Sequence, residues 1–342
     1  MVASLKQSRK LDQAARAAWL YYIAGNTQDE IATKLDVSRQ AAQRLVALAV
    51  QEKLIKFRLD HPLADCLDLA ARLEERFALD PVEVVPIDPA SDDPLPGIAV
   101  AAGQYLENQL AKRVPLVVGI ATGRSLKAMV DEVAPMQRPD HRIVSLVGTM
   151  NRAGQASPYD VAIRLADRVG ARCYPMPTPV VAATVEERRL LQTQEAYRTV
   201  EHLAARAAFH LVGIGEVGWG CPMHRDGFLT DGEIAELVEH GAVGEITSWA
   251  FDGHGRLIES SVAERLSGLP CRPVPSPPRI GIAGGARKVE AIRAALDGRL
   301  LTGLITDQTT DASLLSKRAM AYIATEQWDR AKADWLRVIE QQ

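Results

Sequence analysis

The sequence specifies an α/β chain with an all-helical head. Residues 11–57 carry helical periodicity and no strand signal. From residue 82 short β-branched runs appear (VEVVPI, PLVVGIA, RIVSLVG, FHLVGIG, RIGIAGG, LLTGLIT), alternating with helical stretches such as YDVAIRLADRV and KVEAIRAAL. Strands that are apolar from end to end, separated by amphipathic helices, predict a largely parallel sheet covered on both faces. Several of these runs end on glycine, at the edge where such a sheet opens its crevice. The predicted organisation is a helix-turn-helix domain over 1–59, a larger α/β domain over 60–316 and a C-terminal helical extension over 317–342. The helical segment CLDLAARLEERFALD links head to body, and Trp328, Trp335 and Leu336 are the packing residues of the extension.

In the head, Thr27 followed by Glu30 is a capping box that starts one helix. Ile31, Ala32 and Leu35 form its buried side, Asp36-Val37 make the turn, and Ser38 caps the next helix. At ~100° per residue, Ala41, Ala42, Leu45, Leu48 and Ala49 fall on one side of that second helix. Arg39, Gln40, Gln43 and Arg44 fall on the other. Arg and Gln are the side chains that read guanine and adenine edges in the major groove, and they cluster here at the helix N-terminal end. A merely solvated polar face is the plain alternative, but cap, short turn and clustered readers together favour DNA. The expected DNA-binding set is Thr27, Ser38, Arg39, Gln40, Gln43, Arg44 and Lys56, with Lys56, Lys53 and Arg58 placed for phosphates.

The chain has 342 residues, 47% of them hydrophobic and 24% charged, which is ordinary for a globular protein with more than one domain. Its formal charge of −3 is unevenly spread: residues 1–60 hold ten Lys/Arg against six Asp/Glu, so +4 in the head leaves −7 for the rest. A basic head on an acidic body fits DNA contact through the head. Cys66, Cys173, Cys221 and Cys271 are scattered without a CxxC pair, which argues against a zinc site and a disulfide framework. The polar start SLKQSRK has no apolar signal core and no run approaches ~18 apolar residues, so the expectation is a cytoplasmic protein without a membrane partner.

The stretch GIATGRS, residues 119–125, follows the apolar run PLVV. A strand broken on Gly119, a turn of small residues and Ser125 as helix cap would aim backbone N–H groups and a helix dipole at an anion. Arg124 adds a fork of donors suited to phosphate or carboxylate.

Beyond this loop the body carries VSLVGTMN, YDVAIRLADRVGARCYPMPTPVV, LVGIGEVG, GAVGEITSWAFDGHG and IAGGARKVEAIRAAL followed by ITD. In this order, behind TQDEIATKLDVSRQAAQRL, they resemble the SorC (DeoR-type sugar-binding) bacterial transcriptional regulators over residues 15–316. The resemblance implies a DNA-binding head and a Rossmann-like effector domain similar in fold to sugar-phosphate isomerases and glucosamine-phosphate deaminases. It further implies operator DNA as partner, a sugar, polyol or sugar-phosphate effector, a dimer or tetramer, and control of a catabolic operon. No cofactor and no metal is expected. Carried over by position, the effector site comprises Gly119, Thr122, Gly123, Arg124 and Ser125, then Gly148, Thr149 and Asn151, then Thr178 and Pro179. Gly213 and Gly215, Asp252, and Gly284, Gly285 and Lys288 complete it. The glycines equally suit tight turns, Asp252 a turn cap, and Lys288 a solvated helix position.

Two features separate the chain from its likenesses. Ala121 and Thr122 stand where many family members have a third glycine and an aromatic residue, and the loop 148–155 has no lysine that could form an imine. In the sequence GIGEVGWG, Val217 and Trp219 occupy the positions at which the deaminase relatives carry Asp and His. Neither side chain transfers protons, so binding without catalysis is the expectation, with an isomerase- or deaminase-like enzyme as the alternative.

Overall fold

A computed structural model of the chain describes residues 2–52, 54–55, 63–88, 90–91, 93–157 and 159–315. The chain separates into two compact units, Met1–His61 and Pro62–Gln342. The expected phosphate contacts Lys53, Lys56 and Arg58, and the extension with Trp328, Trp335 and Leu336, lie outside the described residues.

The first unit is helical. α1 (Val2–Ala18) runs into a wider π-type turn at Trp19–Ile23, followed by α2 (Gln28–Leu35) and α3 (Arg39–Gln51). The capping box forms as expected: Thr27 Oγ1 accepts from Glu30 N–H, and the Glu30 carboxylate accepts from Thr27 N–H at 2.7 Å. Asp36 takes the left-handed conformation at φ +52° that closes α2, and Ser38 Oγ accepts from Ala41 N–H to open α3. Ile31 from α2 and Ala42, Leu45, Val46 and Ala49 from α3 pack with Ala14, Ala17 and Ala18 of α1. Ala41 and Leu48 are only partly buried, and Val46 takes a core position that the expected face did not include.

The second unit begins with α4 (Ala64–Phe77), β1 (Val82–Val85) and α5 (Leu95–Leu110). It continues with β2 (Val117–Ile120), α6 (Arg124–Glu132), β3 (Arg142–Met150), α7 (Ala162–Val169) and β4 (Arg172–Pro179). Then come α8 (Val185–Thr193), α9 (Glu195–Ala205) and β5 (Phe209–Gly213). An excursion follows: β6 (Gly215–Glu216), α10 (Pro222–Arg225), α11 (Asp231–Glu239), β7 (Ala242–Ile246) and β8 (Trp249–Asp252). β9 (Arg279–Ile282), α12 (Val289–Asp297), β10 (Gly303–Asp307) and α13 (Gln308–Leu315) complete the unit.

Seven strands form one sheet in the order β1-β10-β9-β5-β2-β3-β4, with every pairing parallel. All six runs predicted as strands lie in it. The seventh, β4, carries Pro175, Pro177 and Pro179, and it tolerates them because it is an edge strand with one side free of the ladder. The central strands are buried on both faces, and Val118, Ile120, Ile143, Val144, Leu211, Ile280 and Ile282 meet helix side chains in one continuous core. From β2 the chain steps outward to β3 and β4, then returns to lay β5 on the other side of β2. That reversal places a crevice above the carboxyl ends of β2 and β5. A small antiparallel sheet, β6-β7-β8, belongs to the same unit. Among the described residues no helix is long and apolar enough to cross a membrane, and no three His, Cys, Asp or Glu side chains gather as for a metal ion.

Candidate effector cleft and DNA-reading helix

A cleft open to solvent occupies the crevice at the reversal point. Its floor is Ala121, Thr122 and Gly123 from the end of β2 and Gly213 from the end of β5. One wall is the segment after β3, with Ser157 and Tyr159, beside Val147 and Val180. The facing wall is α10 and the turn after it, with Met223, Asp226 and Phe228. Glu245, Thr247 and Ser248 close the cleft from the β7–β8 hairpin. Thr247 at φ +53° and Ser248 at φ +72° form the two-residue turn of that hairpin, a conformation glycine or asparagine usually supplies. Holding a β-branched threonine there costs on the order of 1–3 kcal/mol, and such strain concentrates at ligand clamps.

Of the residues expected at the site, Thr122, Gly123 and Gly213 line this cleft. The helix after the loop is not capped by Ser125. α6 starts at Arg124, Gly123 is the residue before it at φ +133°, and among the described residues no side chain caps the helix. Glycine alone takes that bend readily, so Ser125 falls inside the first turn. Arg124 is solvent-exposed on the same turn.

Gly119 lies within β2, and a Cβ there would overlap the His210 ring and Leu146. Gly148 lies within β3 and Thr149 near its end; a Cβ at Gly148 would overlap the backbone of Thr178 and Pro179 on β4. Thr178 is buried, and it is Val180 beyond Pro179 that reaches the cleft. Asn151 Oδ1 accepts from Ala153 N–H and Gln155 N–H, both at 3.0 Å, and so shapes the loop behind the cleft wall. Asp252 Oδ1 accepts from His254 N–H and Arg256 N–H, capping the turn after β8. Gly284 leaves room for Asp307, and Gly285 donates its N–H to Asp307 Oδ2 at 2.9 Å and to Thr310 Oγ1 at 2.7 Å. Lys288 ends a short 3-10 turn directly before α12.

Acidic and basic side chains influence one another beside the cleft. Glu245 is held toward its neutral form by burial, against the Ser248 N–H at 2.8 Å and the charge of Lys288. Gly215 provides the space for it, since a Cβ there would meet the Glu245 carboxylate. Lys288 is lowered by its own burial and then by the charge of Arg124, while Glu245 and Glu216 oppose that effect. Glu216 in turn accepts from Arg287 at 2.5 Å. Asp226, Glu245, Tyr159 and Ser248 were not anticipated. Glu245 comes from the short strand β7 and the others from irregular segments and a hairpin turn, where no sequence periodicity marks which side chains converge.

A second carboxylate organises the walls. Glu233, nearly buried at the start of α11, accepts from both Arg152 and Arg265 on Oε1, and its Oε2 accepts from Thr230 N–H at 2.9 Å. Burial alone would raise its pKa, but Arg152, the Thr230 N–H and Arg265 together bring it down to about 2. Arg152 sits in the loop after β3, and Arg265 also donates to Ala182 O, two residues past Val180. One carboxylate thus ties three backbone segments of the cleft. His224 is likewise committed: its Nε2 lies 2.7 Å from Asp231 Oδ1 and its Nδ1 accepts from Gly220 N–H.

In the head, Arg39, Gln40, Gln43 and Arg44 are all exposed on one face of α3, opposite its buried residues. Arg39 pairs with Asp29 at 3.5 Å and Arg44 donates to Gln40 at 3.5 Å, both weak surface contacts. Thr27 and Ser38, expected at DNA, are bound up as helix caps while remaining exposed.

Comparison with known proteins agrees with this architecture. Residues 61–316 match the family described as "Putative sugar-binding domain". The chain is 34% identical over 304 residues to the erythritol catabolism regulatory protein EryD of Brucella abortus, covering 89% of this chain and 96% of that protein. It is 30% identical over 312 residues to the transcriptional regulator LsrR of Escherichia coli O139:H28, covering 89% and 94%. In fold it is similar to the full-length sorbitol operon regulator SorC of Klebsiella pneumoniae, with a TM-score of 0.68 at 21% identity over 89% of this chain and 98% of that one. The chain belongs to the sugar-binding-domain family of transcriptional regulators, of SorC/DeoR type.

Proposed function

We propose that the protein is a transcriptional regulator of a carbohydrate or polyol catabolic operon, whose operator affinity is set by a small molecule bound in the cleft between β2 and β5. The head (1–59) reads DNA, and the body (60–316) binds the effector and holds copies of the chain together as a dimer or tetramer. The exposed quartet Arg39, Gln40, Gln43 and Arg44, on a helix capped at its start and backed by a closed core, is the observation that carries the DNA reading. The relatives named above regulate the catabolism of erythritol and the sorbitol operon, which supports a polyol-type pathway here. A cytoplasmic location follows from that role.

The cleft binds rather than catalyses. Trp219 is exposed and Val217 is only partly buried at the positions where proton-transfer groups would be needed, and His224 is already paired. A regulator needs differential affinity for two states and nothing more.

Selection of binding sites from random DNA, followed by anisotropy titration, tests this. Arg44→Ala and Gln43→Ala are expected to lose ~1–3 kcal/mol of discrimination per base-reading contact while random DNA binds as before. Wild-type operator affinity in both variants would remove α3 as the reading helix. Turnover of sugar phosphates by the pure protein would point to an enzyme instead.

A further inference from the structure

The helix α8 lies on the surface of the body with little to hold it there. Among the described residues none of its nine side chains is buried, and Leu190 is 64% exposed. A helix this short does not persist in water by itself. Thr184 Oγ1 caps Glu187 N–H at 3.1 Å, and the Glu187 carboxylate accepts from Ala183 N–H at 2.6 Å. Arg188 donates to Glu264 O and Gln192 to Tyr197 Oη, both at 3.3 Å. These bonds use the side of the helix that carries Glu187, Arg188, Leu191 and Gln192. At ~100° per residue Glu186, Arg189, Leu190 and Thr193 fall on the other side, and all four are exposed.

That outer face is complementary to itself. Glu186 and Arg189 have no ion pair and no side-chain hydrogen bond among the described residues. Along the helix Val185, Glu186, Arg189 and Leu190 read apolar, acid, base, apolar. A second copy laid antiparallel reads apolar, base, acid, apolar. Glu186 then meets Arg189 and Val185 meets Leu190, and both pairings share one centre, between Glu187 and Arg188. A single centre is what a two-fold contact between identical chains requires. With one acid and one base the face is neutral, so it offers nothing to a polyanion such as DNA.

We propose that α8 is a contact surface for a second copy of this chain, packed antiparallel on the same helix of that copy, with Glu186 on the partner's Arg189 and Val185 on the partner's Leu190. This rests on the assembly role proposed for the body. One short helix supplies only part of the ~800 Å² per subunit that a stable contact buries, so α8 is the ordering centre of the interface and not its whole extent. The helix also begins where a wall of the cleft ends. Val180 lines the cleft, and Ala182 O accepts from Arg265, which shares Glu233 with Arg152. Docking at α8 therefore bears on the segment that closes the cleft.

The test is the mass of the full chain by sedimentation equilibrium over a dilution series. Arg189→Glu sets like charges against each other twice across the axis. It should weaken the assembly at least about tenfold, read as a fall to half mass or to monomer where the parent is intact. Combining it with Glu186→Arg exchanges the signs and should restore the parent mass. Both positions are exposed, and a melting curve like the parent's checks that the variants fold. An unchanged mass in Arg189→Glu overturns the proposal and leaves the assembly role of the body standing. A double variant that stays dissociated also overturns it, because the loss then does not come from this pairing. A parent chain that is monomeric at micromolar concentration overturns it together with the assembly reading.

Discussion

Gly119 and His210 form one unit in adjacent strands. The buried imidazole lies where a Gly119 side chain would be, and its Nε2 is 3.0 Å from Ala204 O. A carbonyl only accepts, so Nε2 carries a proton. Burial lowers its pKa to about 4 from 6.5, opposed by the Ala204 hydrogen bond and helped by the charge of Arg279, so the ring is neutral. Below pH 6.5 the unfolded chain takes up a proton that the folded one refuses, so stability falls as pH drops from 6.5 towards 4. The loss is on the order of 3 kcal/mol over that window, and a denaturation series at fixed ionic strength should show it, flattened in His210→Phe. Gly119→Ala forces the methyl against the ring and Leu146, and should cost ~1–3 kcal/mol in the same assay. A neutral effect would mean that the strands separate to accommodate it. In sequence Gly119 reads as the start of an anion loop; the packing that fixes it comes from a histidine 91 positions away on the neighbouring strand.

At the scale of elements, the walls of the cleft depend on the Arg152–Glu233–Arg265 cluster. Arg265 is anchored by further bonds to Ser261 O and Ala182 O, whereas Arg152 reaches Glu233 from a loop and is more exposed. Arg152→Ala should therefore release the 151–159 loop while Glu233 stays bonded to Arg265 and Thr230. Amide exchange should quicken in 151–159 and 222–230 and not in the parallel sheet, with a stability loss of ~1–2 kcal/mol. Unchanged exchange in both segments would show that the loop is held by its own turns alone. The parallel strands and the capped helices were legible because period and cap chemistry are local. β4 was hidden by its prolines, which only an edge position allows, and the β7–β8 hairpin by Thr247-Ser248, a turn whose residues do not look like one. The cleft floor was legible at Thr122, Gly123 and Gly213, whereas Asp226 and Glu245 converge only through tertiary packing.

For the whole molecule, charge is unevenly divided: residues 1–60 carry a net +4 and the remainder −7. On the proposed reading that polarity steers the head to DNA, so operator affinity should fall steeply as salt rises, with a slope reporting the phosphates contacted. The same division predicts that the fragment beginning near residue 60 remains a dimer or tetramer; a monomeric mass at micromolar concentration would contradict the assignment of assembly to the body. Occupancy of the cleft is proposed to change what the head does on DNA. The most direct test is anisotropy titration of the full chain on its selected operator, with and without a saturating polyol that calorimetry shows to bind. The operator Kd is expected to shift by about tenfold or more, within the ~1–3 kcal/mol typical of coupling between sites, and Asp226→Asn to reach that shift only at higher polyol concentration. A polyol that binds the cleft yet leaves the operator Kd unchanged would contradict it.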